Sequence, residues 1–215
     1  FLADIRSVGA HLSVTDAFRL PPDAPFSYSP DFLGLAPGDS GNEVRADGLR
    51  VLGEMVNAAR QFGQGLRASE QGDKATLAVF RDKASTARYI HIADYSVGAR
   101  GSIELAEGNL ELSEIRGMDL VAQTVTLSAS TEPRAILRQA QAFSSAGAAN
   151  LVLSTWLVDD HIRGKYLYNF YEARNRERTP VRALAEARDA IQSGGEVPKH
   201  FDPSWWGQFT LYGRP

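Results

Sequence analysis

Apolar and polar positions follow two different rhythms along this chain. At Leu49, Leu52, Met55, Val56, Ala59 and Phe62 the apolar residues recur every three or four positions. That spacing lays them on one face of an amphipathic helix of about five turns. A second, shorter helix is predicted from Ala75 to Asp82. Elsewhere the apolar residues come in short unbroken runs, as a strand covered on both faces requires. Phe32 to Ala36 is the first such run, Arg88 to Ala93 the second, and Leu120 to Ala129 the third. A fourth spans Ala149 to Leu153, with Trp156 close behind.

A helical pattern from Pro133 to Phe143 separates the third run from the fourth. Asp159 to Tyr171 reads as another helix, and Thr179-Pro180 as an N-cap followed by proline in the first helical position. The helix it opens runs through Ile191 and is stopped by Gly194-Gly195. A last strand, Gln208 to Tyr212, is expected to close one edge of the sheet. Before all of these, Pro21, Pro22, Pro25, Pro30 and Pro37 forbid a long helix and make residues 1–40 a meandering lead-in. Strands alternating with helices predict an α/β layered fold with a mostly parallel sheet.

The length of 215 residues, 43% of them hydrophobic, is enough for one sizeable core, so a single domain over 1–215 is expected. The chain opens on Phe1 and is expected to be the C-terminal part of a longer one. The formal charge of −3 supplies no global basic field for nucleic acid or an anionic membrane. No apolar run approaches a membrane span, no signal-peptide layout stands at Phe1, and a soluble, cytoplasmic protein is expected. The cysteine count is zero. Disulfides, thiolate metal sites and any thiol nucleophile are therefore excluded together.

Most isolated motifs have a plainer explanation than chemistry. His11, His91, His161 and His200 are separated from one another, whereas metal ligands come in closely spaced pairs, so no metal and no cofactor are expected. Gly63-Gln-Gly65-Leu-Arg-Ala68 fits G-x-G-x-x-A, yet it follows a helix where a dinucleotide loop must follow a strand; it reads as a helix-ending turn. The basic stretch Arg174-Asn-Arg176-Glu-Arg178 reads as a solvated helix end. In an open parallel sheet, ligand sites lie beyond the carboxyl ends of the strands, which singles out Asp94-Tyr95-Ser96 and Ser130-Thr131-Glu132.

Those segments carry a family resemblance. Ile90-His91-Ile92-Ala93-Asp94-Tyr95-Ser96 resembles the H-x-A-x-H-G strand end of CHAT domains, caspase-like peptidase domains often joined to tetratricopeptide repeats, and Leu127-Ser128-Ala129-Ser130 resembles their L-S-A-C. Ser154-Thr155-Trp156-Leu157-Val158-Asp159-Asp160 is similar to S-x-W-x-V-x-D, and Asn169-Phe170-Tyr171 to the helix motif F-Y. Trp205-Trp206-Gly207-Gln208-Phe209-Thr210-Leu211-Tyr212-Gly213 is similar to W-A-x-F-x-x-x-G. The motifs keep their order from about Pro30 to Gly213. The resemblance implies a caspase-like three-layer α/β/α sandwich.

The departures fall on the chemistry. In active members the second histidine of H-x-A-x-H-G is the general base and the cysteine of S-A-C the nucleophile; the matching positions here are Tyr95 and Ser130. A thiol of pKa about 8.5 is readily made a thiolate by a neighbouring imidazole, whereas a tyrosine of pKa about 10 is only about one part in a thousand phenolate at neutral pH. Ser130 beside Tyr95 is thus not a working dyad. His91 stands four residues before Tyr95 on the same strand, about 13 Å away at strand rise, and reads as a core residue pointing away from the mouth.

The expectation is a catalytically inactive pseudopeptidase that binds a protein or peptide partner, with tetratricopeptide repeats of the same parent chain as one candidate partner. Asp94, Ser96, Thr131, Asp159 and Asp160 are the candidate peptide-binding residues, the last two as acids for a basic side chain. Asp159 and Asp160 equally fit the N-cap and first turn of the next helix. The alternative is a residual hydrolase with Ser130 as its nucleophile.

Overall fold

Runs of aliphatic residues flanked by helices on either side have one economical arrangement, a sheet buried between two helical layers. The computed structural model describes residues 9–10, 27–38, 54–55, 57–93, 95–128, 133–154, 156, 160–193 and 207–213. Its main sheet contains β1 (Gly9–Ala10), β2 (Phe32–Ala36), β3 (Arg67–Gln71), β4 (Tyr89–Ala93), β7 (Thr124–Ser128), β8 (Asn150–Ser154) and β9 (Phe209–Gly213). Across the sheet the order is β1-β9-β8-β7-β4-β2-β3. β3, β2, β4, β7 and β8 are mutually parallel, and β9 runs antiparallel to β8. β5 (Ile103–Leu105) and β6 (Gly108–Leu110) form a separate hairpin.

The alternation of side chains along the strands builds two cores. On one face Leu33, Leu35, Ile90, Ile92, Val125, Leu127, Leu151 and Leu153 pack with Phe80, Ile115 and Phe143. Those three come from α1 (Leu77–Lys83), α2 (Leu112–Arg116) and α3 (Pro133–Ser145). On the other face Phe32, Tyr89, Ala93, Val152, Phe209 and Leu211 pack with Met55, Phe170, Tyr171 and Ala187. Phe170 and Tyr171 belong to α4 (Asp160–Asn175), Ala187 to α5 (Pro180–Ser193), and Met55 to the helical residues 54–55 and 57–59. The result is an α/β/α sandwich: the strand and helix patterns predicted its layering and mostly parallel sheet, and the family resemblance implied its three layers.

Several boundaries moved. The third strand is five residues, Thr124–Ser128, rather than the apolar stretch from Leu120 to Ala129. Leu120 instead donates its backbone N–H to the Ala146 carbonyl at 2.7 Å, and a Cβ on Gly147 would stand 2.5 Å from the Leu120 carbonyl. That approach, at φ +112°, needs glycine. β9 does not close the sheet, because β1 in the lead-in pairs outside it. The sequence reading missed the edge strand β3, whose residues are all half-buried and therefore form no apolar run. It also missed the β5–β6 hairpin and α2, which are too short for periodicity to mark. Leu49 and Leu52 lie outside the described residues.

Two helices start at threonine caps. Thr76 accepts from the Val79 N–H at 3.2 Å to open α1, and Thr179 accepts from the Arg182 N–H at 3.4 Å to open α5. In the middle of β2, one strand in from the edge, Gly34 makes room for its neighbours: a Cβ there would meet Met55 Sδ at 2.4 Å and Phe32 Cε1 at 2.7 Å. Gly34→Ala is therefore expected to lower stability by about 1–3 kcal/mol through overpacking, read as a fall in the urea midpoint at unchanged slope.

Candidate functional site

β4 and β7 end side by side, with Ala93 opposite Ser128, so the segments that follow them leave the sheet at the same mouth. Of the residues expected to line it, Tyr95 and Ser96 are described. Asp94, Ser130, Thr131, Glu132 and Asp159 lie outside the described residues, and Asp160 is the first residue of α4. Ser96 is exposed, and its carbonyl accepts the Glu104 N–H at 3.0 Å, tying the mouth to β5.

Tyr95 turns the other way. It is 4% exposed and packs in the core beneath α1, α2 and α3. Its hydroxyl donates to Gln139 Oε1 at 2.8 Å, and Gln139 Nε2 donates to the Gly101 carbonyl at 2.9 Å. Gln139 is itself fully buried on α3. A phenol already committed as a donor inside an apolar core has neither the basicity nor the reach of a general base. At this position the chain holds a structural tie between the loop after β4 and α3.

The opposite face of the sheet carries a charged network that the sequence reading missed. His91 is buried on β4, its register neighbours being Gly34 and Thr126, and its Nε2 lies 2.9 Å from Glu54 Oε1. Arg163, near the start of α4, donates from Nε to Glu54 Oε2 at 2.5 Å. The expectation of a core histidine pointing away from the mouth holds for His91, but its partner is a fully buried carboxylate. Burial by itself would raise the Glu54 carboxyl; the hydrogen bond with His91, the Arg163 charge and the nearby Ser128 hydroxyl outweigh it and hold the carboxyl below its ordinary value. Beside them Tyr171 stacks at a tilt on His91, centroids 5.7 Å apart, and donates to Thr126 Oγ1 at 2.9 Å. Burial pushes the Tyr171 phenol well above its usual range, so it stays protonated.

One signal could have exposed Glu54. Glu54, Ala58 and Phe62 fall on a single i, i+4 row, and all three are buried. Nothing in the order of residues links that row to Arg163, more than a hundred positions away. The basic stretch at Arg174 also needs correction: Arg174 is 8% exposed rather than solvated, while Arg176 and Arg178 are surface groups near Glu186. Its place on α4 turns it inward, over the Tyr89 ring at 5.7 Å.

The Glu54 network and the Tyr95 tie lead to separate measurements. Replacing Glu54 by Gln leaves Arg163 buried without its counter-ion and should cost about 3–5 kcal/mol in urea unfolding. Because the folded carboxyl binds its proton more weakly than an unfolded one, the stability it gives is complete well above the ordinary value of 4.5 and is lost as pH falls through the lower folded value. Glu54→Gln is expected to flatten that acid limb. Tyr95→Phe strands the Gln139 acceptor and should cost about 1–3 kcal/mol in the same assay.

Among the described residues, no group of three or more histidine, aspartate or glutamate side chains could hold a metal ion, and no helix is long and apolar enough to cross a membrane. No curated protein sequence matches the chain. The family model of the CHAT domain matches residues 29–214, spanning every strand of the main sheet from β2 onward and both helical layers. The chain therefore belongs to the CHAT domain family, a peptidase-like family.

Proposed function

We propose that this CHAT domain is a pseudopeptidase that binds protein or peptide segments at the mouth beyond β4, β7 and β8 and does not cleave them. The observation that carries the reading is Tyr95. In the position where active members hold their basic imidazole, this chain has a 4% exposed phenol that donates to Gln139. The absence of cysteine from all 215 residues supports the same reading, since the nucleophile's position is Ser130. A hydroxyl needs a good base to attack an amide, and His91 is engaged with Glu54 on the far face of the sheet.

With the chemistry gone, the scaffold retains what binding needs: parallel strands ending together, with loops converging beyond them. Ser96 and Thr131 line the mouth in this reading, with Asp94, Asp159 and Asp160 supplying negative charge for an arginine or lysine of the bound segment. A peptide partner fits that chemistry, whether it comes from another protein or from repeats of the same parent chain.

Peptide libraries directed at arginine, lysine and leucine should show no turnover by the purified protein, and a fluorophosphonate probe should leave Ser130 unlabelled at neutral and alkaline pH. Turnover abolished by Ser130→Ala, or labelling of Ser130, would overturn the proposal in favour of a residual hydrolase. Peptides selected from a display library on the wild-type protein should lose at least about fivefold in affinity to Ser96→Arg, an exposed position whose substitution leaves the melting temperature unchanged. Unchanged binding would move the interaction away from the mouth.

A further inference from the structure

The end of the sheet opposite the mouth gathers positive charge with no counter-ion among the described residues. β4, β7 and β8 begin there with Tyr89, Thr124 and Asn150, and α4 ends there with Arg174 in its last turn. Arg88, half-buried, and Arg174, 8% exposed, both donate to the same acceptor, Gln123 Oε1, at 3.0 and 3.3 Å. Their guanidinium carbons both lie over the Tyr89 ring, 5.1 and 5.7 Å from its centroid. Arg88 also lies 5.7 Å from the Tyr28 ring centroid. Neither arginine forms an ion pair with any described carboxylate. The acceptors they do have, the Gln123 amide oxygen and the Arg178 carbonyl that takes Arg174 Nη1, are neutral.

Two guanidinium groups that share one neutral acceptor repel each other, and a buried one without an anion is costly. Burial pushes the Arg174 guanidinium down and the Arg88 charge adds to the push, outweighing the adjacent Tyr89 phenol, which acts the other way. Around the pair stand buried polar atoms with no hydrogen-bond partner among the described residues: Arg174 Nε, the Tyr89 hydroxyl and the Thr124 hydroxyl, all able to donate. The buried Arg163, by contrast, is matched by Glu54.

We propose that Arg88 and Arg174, with the hydroxyls of Tyr89 and Thr124, form a binding site for a phosphate group at the amino end of the sheet. Two cationic forks call for an anion of charge about −2, and hydroxyl donors from two adjacent strands suit a tetrahedral oxyanion better than a planar carboxylate. Arg88, the half-exposed member, forms the solvent side of the site. The group is either free inorganic phosphate or the terminal phosphate of a larger ligand. The site lies at the other end of the strands from the mouth, so it stands or falls independently of peptide binding there.

Isothermal titration and thermal unfolding test this with two probes, inorganic phosphate and phenyl phosphate, against acetate and chloride at matched ionic strength. Saturable binding of either phosphate species, with a rise in melting temperature that acetate and chloride do not give, is the expected result. Phenyl phosphate binding identifies a site for a phosphorylated ligand; binding of inorganic phosphate alone identifies the free ion. Arg88→Gln, which removes one fork at a half-exposed position, should weaken binding at least about tenfold while the protein remains folded. Equal responses to phosphate and chloride in the wild-type protein, or full phosphate affinity in Arg88→Gln, would overturn the proposal.

Discussion

A single carboxylate, that of Glu54, holds together three parts of the molecule that are far apart in sequence. His91 brings the central strand β4 to it, Arg163 brings the start of α4, and Glu54 itself stands on the helical residues at 54–59. A charge in such a place is tolerable only when every element around it is in register, because a displaced partner leaves a bare ion in an apolar layer. α4 packs closely on the backbone that carries the carboxylate, Gly164 lying against Glu54. Gly34 on β2 leaves room for Met55, directly beside the carboxylate's own backbone. The aromatic packing of Phe32, Phe62 and Tyr171 then closes around the polar centre, Phe32 and Phe62 stacking with centroids 4.8 Å apart.

The two faces of the sheet divide their tasks accordingly. On the α1–α3 face the core is largely aliphatic with Phe80 and Phe143, and a polar thread runs through it from Tyr95 by way of Gln139 to Gly101. That thread fixes the loop after β4 through a hydroxyl that is buried in the core. On the α4–α5 face the network is ionic and fully enclosed, so its histidine is unavailable to the mouth. The peptidase-like scaffold of the CHAT family and the residues that fill its mouth are thus separable. Strand packing maintains the first whatever occupies the second.

The layered fold was legible because it rests on local rhythm. The short apolar runs read at Phe32–Ala36, Arg88–Ala93 and Ala149–Leu153 coincide within a residue with strands covered on both faces. β3 escaped because, at the edge, its residues are only half covered and need not be apolar. Tyr95 and the missing cysteine were likewise plain in the chain, since motif positions are matters of residue identity and order.

What residue order alone could not reveal was direction and partnership. Whether Tyr95 faces the mouth or the core depends on how the backbone leaves β4, and the structure turns it toward Gln139, forty-four positions away. Glu54, His91 and Arg163 each look ordinary where they stand, and become one network only when a helix, a strand and a second helix pack together. Arg174 reads as a surface charge from its basic neighbours and proves buried because α4 presents that side to Tyr89. Hydrophobic periodicity therefore determined the layers, whereas the pairing of polar groups, which depends on distances through space, was decided by the tertiary structure.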